Sequence, residues 1–203
     1  MTDQTSLIYS ITTFAFATSV TPGPNNMMLL ASGVNFGFRR SIPHALGITT
    51  GFFVMLVAIG FGLNTLFQAY PSSYQVMKVL GFVYLMYLAW GVATSAPLPA
   101  CGESNSQVTP LSFVGAIAFQ WVNPKAWMIA VSFSSNYLPH QAAALFVLLG
   151  CLLVAMVNLP SICIWLWMGT RLEQVLRDPV RRKIFNWVMA LLLLASMLPV
   201  LWL

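Results

Sequence analysis

The residue best placed to do chemistry in this chain is a lysine with no acid near it in sequence. Lys125 follows Asn123-Pro124, about fourteen residues into an apolar run from Leu111 to Asn136, roughly 21 Å along a helix. An ammonium near mid-bilayer costs about 2.5 to 3.5 kcal/mol on insertion scales. The four acids, Asp3, Glu103, Glu173 and Asp178, all lie near chain ends or in loops. Lys125 therefore faces a wet cavity and meets either an anionic group, such as a carboxylate, or carbonyls freed by an unwound helix. The plain structural alternative is a lysine that only caps such carbonyls.

A second stretch complements it. Thr21, Pro22, Gly23, Pro24, Asn25 and Asn26 lie inside another apolar run, Leu7 to Val34. Two prolines two residues apart remove two backbone donors and stop a regular helix. In hydrocarbon, such a break survives only where it lines a cavity or is buried in protein. A helix restarting after Pro24 would present free N–H groups and a positive dipole end, suited to a carboxylate. Thr21, Asn25 and Asn26 add neutral hydrogen-bonding groups for an amino or polar side-chain group. Gln120, Trp121 and Asn158 are further cavity candidates, each as well explained by interhelical packing. The candidate substrate-binding set is thus Thr21, Pro22, Gly23, Pro24, Asn25, Asn26, Gln120, Asn123, Pro124, Lys125 and Asn158.

The elements that must hold these residues follow from composition. With 59% hydrophobic and 6% charged residues, the 203-residue chain is a polytopic membrane protein with room for about six helical spans. The spans are expected at about 7–34, 44–67, 74–94, 111–136, 141–168 and 184–203. Residues 35–43, 68–73 and 170–183 read as loops, and 95–110, with three prolines, as the longest one. Asp178-Pro179 fits an N-cap followed by proline at the first helical position. The two proline motifs occupy corresponding positions in two three-span halves, about 1–95 and 111–203 with a linker at about 96–110. The expected fold is all-α, one transmembrane domain of two inverted three-helix repeats with helices 1 and 4 broken. Such paired interruptions point to a transporter site near the midplane.

Seven of the nine Lys/Arg residues fall at Arg39-Arg40 and between Arg171 and Lys183. That clustering predicts cytoplasmic loops there, with both termini outside, and only Lys78 on the opposite side. It does not form the long basic face that nucleic acid requires. Asp3 and the absence of a basic n-region predict that the first span is retained rather than cleaved. Cys151 and Cys163, twelve apart on one expected helix and about 18 Å along it, are beyond disulfide reach, and with Cys101 read as free thiols. Gly47 and Gly51 read as a packing seam, His44 as an interfacial residue rather than a proton carrier, and Glu173 with Arg177 as a helical ion pair. Small-residue seams leave a monomer and a homo-oligomer both open.

At these residues the chain resembles the lysine-exporter (LysE/RhtB-type) family of bacterial amino-acid exporters. The resemblance is carried by Thr21-Pro22-Gly23-Pro24-Asn25-Asn26, Gly37-Phe38-Arg39-Arg40 with Gly47 and Gly51, Gly81-Phe82-Val83-Tyr84-Leu85 with Leu88-Ala89-Trp90, and Phe119 to Trp127. TPGPNN looks most like the branch that exports cysteine and O-acetylserine. The resemblance implies a six-span inner-membrane exporter, generally proton-driven, with Pro22, Gly23, Pro24, Asn123, Pro124 and Lys125 on its two motifs. Where the family usually has a basic residue after Leu88-Ala89-Trp90, this chain has Gly91.

With no intramembrane carboxylate to pair a basic side chain, the expected substrate is a small, mostly neutral amino acid or derivative. Protons that drive export would have to use Lys125, His44, Asp3 or the substrate itself. An enzyme is not expected, because no acid/base pair, activated nucleophile or metal set can be assembled. No cofactor is implied. A divalent-metal exporter on the same scaffold is the alternative, although Lys125 would repel the cation.

Overall fold

The computed structural model describes residues 2–63, 71–95, 109–139 and 142–196. Among these residues the fold is entirely helical, with no strand: α1 (Thr2–Val20), α2 (Pro24–Gly60), α3 (Pro71–Ala93), α4 (Phe113–Gln120), α5 (Pro124–Tyr137), α6 (Ala144–Val175) and α7 (Pro179–Ala195). Both α2 and α6 are long and apolar enough to cross a membrane.

Proline placement sets where helices begin. Pro24, Pro124 and Pro179 each open a helix, where the missing N–H has no partner to lose. Asn123 caps α5 by accepting from the Lys125 amide at 3.1 Å, and Asp178 caps α7 by accepting from the Arg181 amide at 2.9 Å. Ser112 caps α4 in the same way, accepting from the Gly115 amide at 3.0 Å.

Residues 35–43, expected as a loop, are helical instead. The chain turns at one residue, Gly37, whose φ of 76° and ψ of 173° suit glycine. Hydroxyls hold the kink: Ser41 donates to the Gly37 carbonyl at 2.9 Å, and Ser32 and Ser41 lie 2.7 Å apart. The basic loop expected at 170–183 is also mostly helix, since α6 runs to Val175 and α7 starts at Pro179. Arg177 thus lies beyond the end of α6, the i,i+4 geometry is lost, and no ion pair with Glu173 forms. Arg40 stacks on the Phe36 ring at 5.8 Å and Arg171 on the Trp167 ring at 5.2 Å, so apolar stems and rings lie together at helix ends.

The core is built around α2, which packs most extensively on α6 and then on α4. Buried Phe52, Met55, Leu56, Phe133 and Val154 form its largest apolar cluster. Contact with α6 is close because Gly33 and Gly169 face each other's backbones. A Cβ on Gly33 would lie 2.5 Å from the Leu166 carbonyl, and one on Gly169 would collide with the Leu30 carbonyl. The seam expected at Gly47 and Gly51 is present against α4: a Cβ on Gly51 would lie 2.7 Å from Ile117 Cα, and one on Gly47 would strike the Phe113 carbonyl.

One end of the molecule is tied by amides. Asn35 and Asn186 exchange hydrogen bonds at 2.9 and 3.2 Å, and Asn186 also donates to the Ser95 carbonyl at 3.1 Å. The stretch just before the Gly37 kink, the end of α3 and the middle of α7 therefore meet, with Arg39 and Arg40 just past the kink and Arg181, Arg182 and Lys183 within five residues before Asn186. The linker at 96–108, Cys101, Glu103, His140, the end expected for span 2 at 64–67 and that of span 6 at 197–203 lie outside the described residues, as does the Lys78 side chain.

Candidate functional site

The gap between α1 and α2, Thr21 to Gly23, leaves carbonyls that a continuous helix would have bonded. Each from Thr18 to Gly23 has a donor. Thr21 donates its hydroxyl to the Thr18 carbonyl at 2.9 Å. Asn26 donates to those of Ser19 and Thr21, both at 2.8 Å, and the Trp165 indole N–H reaches that of Val20 at 3.0 Å. The Met27 amide bonds the Gly23 carbonyl at 3.0 Å.

Lys125 completes the set from the other half of the chain. Its ammonium donates to the Thr21 carbonyl at 2.7 Å, the Thr21 hydroxyl at 2.9 Å and the Pro22 carbonyl at 3.1 Å. This is the carbonyl contact that both sequence readings of Lys125 allowed. Gly23 makes room for it, since a Cβ there would lie 2.6 Å from Lys125 Cδ and 3.1 Å from Nζ. Gly23 itself is extended and gives α2 no side-chain cap. The backbone N–H groups of Asn25 and Asn26, in the first turn of α2, find no acceptor among the described residues. An ammonium and an uncapped helix N-terminus therefore stand side by side, with no acid among the described residues that line the space.

Neutral amides join the same junction. Asn25 and Gln120 exchange two hydrogen bonds, at 2.8 and 3.1 Å, and Gln120 also donates to the Ala116 carbonyl at 3.0 Å. Asn158, from the middle of α6, donates to the Ser19 hydroxyl at 3.0 Å and accepts from Thr49 at 3.2 Å. A void of about 30 Å³ lies between these groups, lined by Gly23, Asn25, Asn26, Asn123, Lys125 and Asn158 among others.

The structure thus brings together Thr21, Pro22, Gly23, Asn25, Asn26, Gln120, Asn123, Lys125 and Asn158, with Pro24 and Pro124 opening the two helices. Trp121 stays outside the void: its carbonyl accepts from the Trp127 indole at 2.8 Å. Ser19, Thr49 and Trp165 are participants that the sequence did not single out, because a lone Ser, Thr or Trp in an apolar helix carries no motif. His44, expected at an interface, is instead buried, and neither ring nitrogen has a hydrogen-bond partner among the described residues. No group of three His, Cys, Asp or Glu side chains that could hold a metal comes together among the described residues. Cys151 and Cys163 are free thiols.

Comparison with known proteins identifies the family. The family model described as LysE type translocator matches residues 16–197, nearly the whole chain. The chain belongs to the LysE family. It is 32% identical over 191 residues to the cysteine/O-acetylserine efflux protein of Escherichia coli O139:H28 (strain E24377A / ETEC), covering 93% of this chain and 94% of that protein. The proteins of the same description from Escherichia coli (strain K12) and Shigella sonnei (strain Ss046) are 32% identical over 190 residues, with the same coverage. No solved structure matches. Membership makes this chain a translocator of the inner membrane and not an enzyme, in keeping with its long apolar helices.

Proposed function

We propose that this protein exports a small neutral amino acid or derivative, cysteine-, O-acetylserine- or threonine-like, across the cytoplasmic membrane. The observation that carries the reading is the meeting of Lys125 with the unwound Thr21–Pro22 backbone beside the uncapped first turn of α2. An ammonium and two free backbone N–H groups are a carboxylate's partners. Asn25, Asn26, Gln120 and Asn158 are neutral and suit an uncharged polar side chain. The names of the relatives, cysteine/O-acetylserine efflux proteins, support the same class.

In this reading, α1 with the first part of α2 is one broken span, and α4 with α5 is its counterpart in an inverted second repeat. The helix after Gly37, then α3, α6 and α7, are the other four spans. The basic end gathered by Asn35 and Asn186 faces the cytoplasm, which puts both termini outside. A void of about 30 Å³ holds roughly one water. An amino acid therefore enters only when the two broken helices part, as alternating access requires. Lys125 exchanges backbone carbonyls for the substrate carboxylate at that step, and a proton gradient drives the cycle.

The test is efflux from proteoliposomes loaded with labelled cysteine, O-acetylserine, threonine, leucine, lysine or a divalent metal, with and without a pH gradient. Wild type is compared with Lys125→Ala. Gradient-dependent export of a neutral amino acid, lost in the variant, supports the reading. Export of metal alone, or an unaffected variant, overturns it.

A further inference from the structure

The Lys125 ammonium has three N–H donors, and three oxygens of the unwound segment converge on it. They are the Thr21 carbonyl at 2.7 Å, the Thr21 hydroxyl at 2.9 Å and the Pro22 carbonyl at 3.1 Å. Such a cradle matches any primary ammonium, and the lysine is its occupant in this structure. A guanidinium is planar and carries at most two hydrogens on each nitrogen, and a secondary amide nitrogen carries one. Neither reproduces three donors on one atom.

Two of the three oxygens do not depend on the lysine. The Thr21 carbonyl also accepts from the Asn26 side chain at 2.8 Å, and the Thr21 hydroxyl donates to the Thr18 carbonyl at 2.9 Å. The Pro22 carbonyl has Lys125 as its partner among the described residues. Both anchors, Thr18 and Asn26, lie within five residues of Thr21 on the same broken span. Lys125 comes from α5, 104 residues on. When α5 parts from the α1–α2 gap, the lysine leaves with its own helix and the oxygens keep their places. The vacated acceptors then favour a charged donor over a neutral one.

We propose that these three oxygens are the subsite for the substrate's α-ammonium, with the Lys125 ammonium as a stand-in while the carrier is empty. This rests on the exporter reading and narrows its substrates to molecules with a free primary ammonium. On binding, the substrate's ammonium takes the cradle, and the released Lys125 pairs with its carboxylate. One ammonium therefore fills the cradle in the empty and in the loaded carrier, and the two exclude each other. The lysine's return displaces the substrate.

The test is equilibrium binding to the purified full-length protein in detergent, in mildly acidic buffer that keeps the acetyl group of O-acetylserine on oxygen. Wild type should bind labelled O-acetylserine at least about 10-fold tighter than N-acetylserine, the isomer whose nitrogen is an amide. Equal binding overturns the subsite. Lys125→Met empties the cradle. It should bind labelled ethanolamine, an ammonium without a carboxylate, at least about 10-fold tighter than wild type, because the internal competitor is gone. In that background Thr21→Val, which loses the hydroxyl at nearly constant shape, weakens ethanolamine about 10-fold, and Thr21→Ser restores it to within about 3-fold. Ethanolamine binding that ignores Lys125→Met or Thr21→Val overturns the subsite, as does its displacement by sodium but not by methylammonium. Efflux separates this from the exporter reading. Wild-type proteoliposomes that export O-acetylserine and N-acetylserine alike would sink the subsite and leave the exporter. Ethanolamine binding that follows both variants, with no amino-acid efflux from wild type, would sink the exporter and leave the cradle.

Discussion

The side-chain amides of Asn25 and Gln120 pair face to face, 95 residues apart in the chain, through hydrogen bonds of 2.8 and 3.1 Å. The pair fixes the register between the first turn of α2, which starts at one proline motif, and the last turn of α4, which ends just before the other. Gln120 is fully buried. Replacing either residue alone by Leu leaves an amide unpaired and is expected to destabilise the protein by about 1–3 kcal/mol. The double variant should recover part of that loss, with a coupling energy of about 0.6–1.7 kcal/mol. Thermal unfolding of the four proteins in one detergent measures the cycle. Strict additivity would mean that the pair is not a unit.

Lys125 is held by three oxygens at one end of a flexible side chain. Lys125→Met keeps the apolar stem and removes the ammonium, and is expected to cut neutral amino-acid efflux by at least about 10-fold, the worth of 1.4 kcal/mol. Lys125→Arg keeps the charge, but its planar fork does not reproduce three acceptors converging on one nitrogen, so intermediate efflux is expected. Initial rates in proteoliposomes rank the three. Arg behaving like Met would show that charge alone is not what the site uses.

Gly23 offers a test of the same lysine without touching it. Its backbone is extended (φ −179°, ψ 175°), a conformation that alanine adopts freely. The Cβ of Gly23→Ala would sit 2.6 Å from Lys125 Cδ and push the side chain away. Efflux should therefore fall about 3- to 30-fold while thermal stability changes by less than about 1 kcal/mol. A large stability loss with normal efflux per folded molecule would refute the spacing argument.

The crossing of α2 and α6 depends on Gly33 and Gly169, each pressed against the other helix's backbone. Gly169→Ala must move two helices apart at a close-packed seam, and the expected loss is about 1–3 kcal/mol. Gly91, where a Cβ meets nothing within 4 Å, is the control, and Gly91→Ala should be neutral or slightly stabilising. Apparent melting temperatures of both variants decide it.

What the sequence made legible follows from how local each signal is. The starts at Pro24, Pro124 and Pro179 were readable because proline's missing donor acts on its own neighbours. So was the candidacy of Lys125, since a charge in an apolar run conflicts with its surroundings whatever the fold. The Gly37 kink was hidden: residues 35–43, with Arg39, Arg40 and Pro43, have the composition of a loop, yet Ser32 and Ser41 hold a single-residue turn that lets the helix resume. Trp165 capping Val20 and Ser19 bonding Asn158 were not legible, because each joins positions more than a hundred residues apart. The burial of His44 likewise depends on partners that only packing brings to it.

The last prediction concerns the basic end. Asn186 is fully buried and bonds both Asn35 and the Ser95 carbonyl, so one side chain joins α2, α3 and α7. Asn186→Leu has a similar volume but no polar atoms, and it leaves the Asn35 amide and the Ser95 carbonyl short of a partner. The expected cost is about 2 kcal/mol, a typical value for a broken buried amide contact. Asn35→Ala/Asn186→Leu removes both amides and should be less destabilising than the two single losses added together. Unfolding curves of the three variants in one detergent decide it, and strict additivity would mean that Asn35 and Asn186 do not act as a pair.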